Sequence, residues 1–136
     1  MKKRFIKNKI INIIKASAGF PSPAENYIEE KLDLNKYLIK NLEATFFIRV
    51  SGNSMINAGI FDNDILIVDK SMDPVNQSIV IVSLNGELVI KRISKDLKSG
   101  IYCLKSENLD YPDIKLDQNY DMKIWGVATC VIHNLI

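Results

Sequence analysis

At 136 residues with 47% apolar side chains, the chain is long enough for one domain with a real core, which argues against wholesale disorder. No apolar run approaches the ~18–20 residues of a membrane-spanning helix. Two cysteines 27 residues apart and a single histidine, His133, argue against a disulfide framework or a Cys/His metal cluster.

Cys103 and Cys130 read as reduced thiols buried in apolar strands, with the cytoplasm as the default compartment. His133 reads as a residue of the C-terminal strand. The net charge of +2 hides a split. Residues 1–18 carry six basic side chains and no acid, and the remaining residues carry twelve basic against sixteen acidic ones, so a +6 arm precedes a −4 body. Such an arm suits nucleic acid, an acidic protein surface, its own body, or plain solvent. Eighteen residues are too few for a helix-turn-helix unit, so no sequence-specific DNA binding is expected.

The arm ends in Ala16-Ser17-Ala18, a small-x-small pattern resembling a processing site. A secretory signal fits poorly. Its apolar patch, Ile10 to Ile14, is short, broken by Asn12 and followed at once by Lys15, whereas a signal needs roughly 7–15 apolar residues. After it, "GFPSPAENY" predicts an exposed extended arm, because each proline restricts its neighbour to extended backbone. The segment up to Asn41 mixes short helical and extended possibilities. From there strands dominate: "TFFIRV" (45–50), "ILIVDK" (65–70), "SIVIVSL" (78–84), "ELVIKRI" (87–93), "IYCLK" (101–105) and "IWGVATCVIHNLI" (124–136). Asn85-Gly86 between two of them is a strong hairpin signal. The expected fold is mainly β. Its divisions are a basic arm (1–18), an extended linker (19–40) and a β-rich domain (41–136).

Two residues in this frame can carry chemistry. Ser54 follows a strand end and the turn Ser51-Gly52-Asn53, where glycine lets a hydroxyl and backbone N–H groups point outward. Lys91 alternates with Val89 and Ile93 on one face of the hairpin's second strand, opposite Leu88, Ile90 and Arg92. A lysine so placed is either an exposed edge residue or a desolvated amine, with Arg92 beside it facing outward. A free lysine titrates near about pH 10.4 and is a poor base at neutral pH; burial lowers that value and yields an amine able to deprotonate a serine. No Gly-x-Ser-x-Gly elbow and no Ser-His-Asp set competes.

These residues lie within a series of motifs that resembles the LexA/UmuD family of self-cleaving Ser–Lys proteases, and its UmuD branch most closely. "AGFPSPAENY", "DLN", "RVSGNSM", "FDNDILIVD", "NGELVIKR" and "WGV" follow in the family's order. The spacings of 35 residues from Gly19 to Ser54 and 37 from Ser54 to Lys91 also match. Ala18 departs from the cysteine common before the UmuD cut, Asn53 from an acid, and Asn63 from a glycine.

The resemblance implies a β-rich LexA/UmuD-type peptidase domain with Ser54 as nucleophile and Lys91 as general base. Backbone N–H groups of Asn53 and Ser54 would be the oxyanion donors, and Ala18–Gly19 the scissile bond. It implies no metal and no organic cofactor. It also implies an SOS-response role: self-cleavage stimulated by a RecA–single-stranded DNA filament, then a trimmed homodimer serving a UmuC-type Y-family polymerase in translesion synthesis. The alternative is a repressor-like interaction module without a DNA-binding domain.

Overall fold

The computed structural model describes residues 10–19, 28–116 and 121–136. The first nine arm residues and the predicted extended segment at 20–27 lie outside them. The chain divides into two compact units, Met1–Lys40 and Asn41–Ile136.

In the first unit, strand β1 (Ile10–Ile14) pairs antiparallel with β2 (Ile28–Asp33), from Ile10 opposite Asp33 to Ile14 opposite Ile28. No periodicity in the sequence announced β1. Asp33 then caps a single turn, α1 (Leu34–Leu38), accepting the Asn35 N–H at 3.1 Å. Both readings left open for this segment, extended and helical, therefore occur in succession. Ile10, Ile11 and Ile14 remain exposed, so this pairing rests on backbone bonds more than on burial.

The second unit is one sheet of seven strands: β3 (Thr45–Arg49), β4 (Ile65–Asp69), β5 (Ile79–Leu84), β6 (Glu87–Lys95), β7 (Tyr102–Lys105), β8 (Ile114–Lys115) and β9 (Met122–Ile132). Their order is β3-β4-β9-β5-β6-β7-β8, every neighbour antiparallel. The mainly β expectation holds, and each expected strand is present. The two-residue β8 went unread, because two residues cannot show a period. β9 stops at Ile132, so His133 lies just past the strand rather than in it. Cys103 on β7 and Cys130 on β9 are free thiols, half-buried rather than fully buried.

Period-2 alternation sends the two faces of the central strands into two cores. Ile79 and Ile81 of β5 and Ile90 of β6 pack with Val50, Met55, Ile60, Leu66 and Val68. Val80 and Val82 of β5 and Val89 and Ile93 of β6 pack with Leu104 and Val127. A sheet covered on both faces explains why β5 reads as a continuous apolar run instead of an alternating one. In the long β9, register shifts occur opposite Ile81/Val82 and Ile67/Val68. The first leaves Trp125 in one core while Ile124 and Val127 join the other. Gly126 beside it tolerates no side chain: a Cβ there would meet Val68 Cγ1 at 2.5 Å.

The β5–β6 turn confirms the hairpin reading. Asn85 and Gly86 have φ of 50° and 87°, the two left-handed residues of a type I′ turn, and Leu84 pairs with Glu87.

Candidate active site

The serine segment begins where β3 ends. Val50 is buried and pairs with the returning chain, its N–H donating to Asp64 O (2.8 Å) and its O accepting from Asn63 N–H (2.9 Å). Between these residues the chain makes a closed excursion. Gly52, at φ 94°, turns it in a conformation L side chains avoid, and its N–H donates to Asp62 Oδ1 at 2.7 Å. Met55, 2% exposed, anchors the far side of the turn in the core. A 3-10 turn, Ile56–Ala58, then closes at Gly59, φ 78°. Ser54 therefore sits half-buried between a left-handed glycine and a fully buried methionine. Among the described residues, the N–H groups of Asn53 and Ser54 donate to no acceptor.

Asn63 takes φ 71°, a conformation that asparagine adopts more readily than most non-glycine residues, which accounts for asparagine at a position where the family resemblance led us to expect glycine. Asp64 next to it is 3% exposed. Its carboxylate accepts from Phe61 N–H (2.8 Å) and bonds His133 Nδ1 (2.5 Å). Burial pushes this carboxyl up, but the Phe61 N–H and His133 outweigh it and hold the group below its ordinary value. His133 thus braces the serine turn from the C-terminal tail.

Lys91 lies on β6 between two paired neighbours, opposite Val80 of β5 and one residue before Arg92, which is opposite Lys105 of β7. It is 8% exposed, so the desolvated amine is the alternative that the structure realises. Burial lowers its pKa from the ordinary lysine value, and the Asp113 carboxylate pulls it partly back. The amine bonds Ser106 Oγ at 2.7 Å, and the Tyr111 ring centroid lies 5.9 Å away. Arg92, expected to face outward, is half-buried. It is ion-paired through Nε to Glu107 Oε1 at 2.6 Å, with Nη1 on Gln77 O at 2.6 Å.

No hydrogen bond links Ser54 Oγ to the Lys91 amine among the described residues; the two are joined through the segment after β7. Glu107 N–H donates to Ser54 O (2.8 Å), Asn57 N–H donates to Glu107 O (2.8 Å), and Asn108 Nδ2 donates to Asn53 O (2.8 Å). Ser106, Glu107 and Asn108 are the site residues that sequence reasoning missed. Their only signal was a polar turn, Ser-Glu-Asn, directly after an apolar strand. They border an open cleft of about 540 Å³, lined also by Tyr111 and Asp113. Ala18 and Gly19 belong to the first unit and are exposed, with Gly19 N–H on Ser17 Oγ at 3.2 Å.

Comparison with known proteins gives the family. Residues 9–129 match the family described as peptidase S24-like. Protein MucA of Salmonella typhimurium is 41% identical over 121 residues, covering 88% of this chain and 79% of MucA. Protein SamA of the same species is 43% identical over 116 residues, covering 85% and 79%. The LexA repressor of Shewanella denitrificans is 34% identical over 119 residues, covering 87% of this chain but 57% of the repressor. With most of its length matched and most of MucA and SamA covered, the chain belongs to the peptidase S24-like family.

Proposed function

We propose that this chain is a serine endopeptidase that cuts its own Ala18–Gly19 bond with a Ser54–Lys91 dyad. The observation that carries the reading is Lys91: an amine buried in a sheet, its pKa lowered by desolvation, hydrogen-bonded to the segment that clamps the Ser54 turn.

In the proposed reaction the neutral Lys91 amine takes the Ser54 Oγ proton as Oγ attacks the Ala18 carbonyl carbon. The Asn53 and Ser54 N–H groups stabilise the resulting oxyanion. Collapse breaks the C–N bond, and the lysine ammonium gives its proton to the departing Gly19 nitrogen. Water, deprotonated by the same amine, then frees Ser54 and releases residues 1–18 with a new carboxylate. A substrate tethered in the same chain has a high effective concentration, so little dedicated binding surface is required.

The cut would remove a +6 arm and leave a −4 body, a change of electrostatic partner. On this reading a RecA–single-stranded DNA filament favours the docked arm in the cytoplasm. The trimmed homodimer then serves a UmuC-type polymerase in translesion synthesis after DNA damage. The similarity to MucA, SamA and a LexA repressor supports that assignment.

The test incubates the purified full chain at alkaline pH, and separately with RecA, an ATP analogue and single-stranded DNA. A new N-terminus at Gly19 is expected from the wild type and from neither Ser54→Ala nor Lys91→Ala. Its persistence in either variant would exclude the dyad. Co-purification of the trimmed form with a UmuC-type subunit tests the partnership separately.

A further inference from the structure

Resting on the dyad reading above, we propose that Ser106 is the positioning residue of Lys91: its hydroxyl holds the amine and ties it to the backbone carrying Ser54. Lysine is a flexible side chain. Four methylenes leave an amine free to point in many directions unless something fixes its end. Among the described residues, the one hydrogen-bond partner of the Lys91 amine is Ser106 Oγ, at 2.7 Å.

That hydroxyl is itself well placed. Arg92 pairs with Lys105, so the residue after β7 comes opposite Lys91 by continuation of the register. Leu104, fully buried, anchors the strand just before it. Ser106 N–H donates to Asp113 Oδ1 at 3.2 Å, and the next residue holds Ser54 O. One short segment therefore grips the amine with a side chain and the serine turn with its backbone.

Serine suits the position chemically. A base that takes a proton and later returns it must be held in both states. A hydroxyl can accept from an ammonium and donate to a neutral amine, so one group serves both. The other groups facing the amine cannot do this: the Tyr111 ring presents its π face, and Asp113 can only accept. Arg92 and Glu107 nearby are paired with each other.

The experiment compares wild type, Ser106→Ala and Ser106→Thr in two readouts. The first is the rate of appearance of the Gly19 terminus across neutral to alkaline pH. The second is NMR titration of the Lys91 side chain, in full-length chains also carrying Ser54→Ala so that none is cut. Alanine should slow cleavage at least about tenfold by releasing the amine from its aligned position. It should also move the Lys91 midpoint to lower pH, because the charge-assisted bond lost by the ammonium is stronger than the one lost by the neutral amine. Threonine, which keeps the hydroxyl, should restore both.

A slower Ser106→Ala with an unmoved midpoint would mean a structural role only and overturn the proposal, as would wild-type rate and midpoint together. A wild-type chain that never yields the Gly19 terminus overturns the dyad reading and, with it, the role of Ser106 in cleavage.

Discussion

Ser54 and Lys91, assigned to one reaction, stand on parts of the molecule built by different forces. The serine turn, residues 50–64, is irregular backbone held by polar bonds: Asp62 on Gly52, Asp64 on Phe61 and His133, and the 106–108 segment on residues 53, 54 and 57. Val50, Met55 and Ile60, with Ala58 beside them, tie it to apolar packing. The lysine strand, β6, has sheet neighbours on both sides and cores above and below. The position of the Ser54 turn therefore depends on the charged Asp64 carboxylate. The position of Lys91 depends on burial, at the expense of its own charge. A site assembled this way should fail through the turn at acid pH and work best where the lysine is neutral.

Removing the brace is the strongest way to break this contrast. Asp64→Ala orphans the Phe61 N–H and the His133 ring nitrogen and should cost about 3 kcal/mol in urea unfolding. It should also slow self-cleavage. The sign with pH follows from the depressed Asp64 pKa. The native state holds the charged form more strongly than the unfolded chain, whose carboxyl titrates near about 3.9. That stabilisation is full above the unfolded value and disappears as pH falls through the folded one. The acid limb of the stability curve should therefore be shallower in Asp64→Ala, and an unchanged limb would mean Asp64 does not brace the turn.

A smaller effect, opposite in sign, is expected on the strand. Lys91→Met keeps the volume and removes the desolvated amine, so it should abolish cleavage yet raise stability at neutral pH by about 1 kcal/mol. In the wild type the folded-state pKa of the amine is depressed. The unfolded chain then binds the extra proton between that value and about 10.4, and stability rises with pH through the window. The variant should lose that rise in chemical denaturation. A Lys91→Met chain less stable than wild type at pH 7 would mean that burying the amine does not cost stability.

The smallest change concerns Asp113, the carboxylate that partly restores the lysine's charge. Asp113→Asn keeps an oxygen for the Ser106 N–H but removes the negative charge. Cleavage measured against pH should shift to lower pH, with a gain at pH 7 of less than about tenfold and an unchanged alkaline plateau. A shift to higher pH would contradict the electrostatic assignment.

How much of this was legible in the sequence varies from residue to residue. The strands of the body were readable because β-branched runs and the Asn85-Gly86 turn carry local instructions. β1 was not, because Ile10 to Ile14, broken by Asn12, show no period and the strand they pair with lies beyond the proline-bearing segment. Ser54 and Lys91 were readable as candidates from a glycine turn and from period-2 alternation. Whether Lys91 was an edge residue or a buried amine stayed open, since alternation names a face and not what covers it.

By itself the sequence determined the mainly β body, the hairpin register, the +6 arm and the two chemically suited residues. The tertiary structure alone decided that Lys91 is desolvated, that His133 braces Asp64, and that Ser106, Glu107 and Asn108 link the Lys91 amine to the Ser54 turn. The physical reason is range: propensity and period act over a few residues. A hydroxyl 15 residues from its lysine, or a histidine 69 residues from its carboxylate, is brought there only by the closing of the sheet.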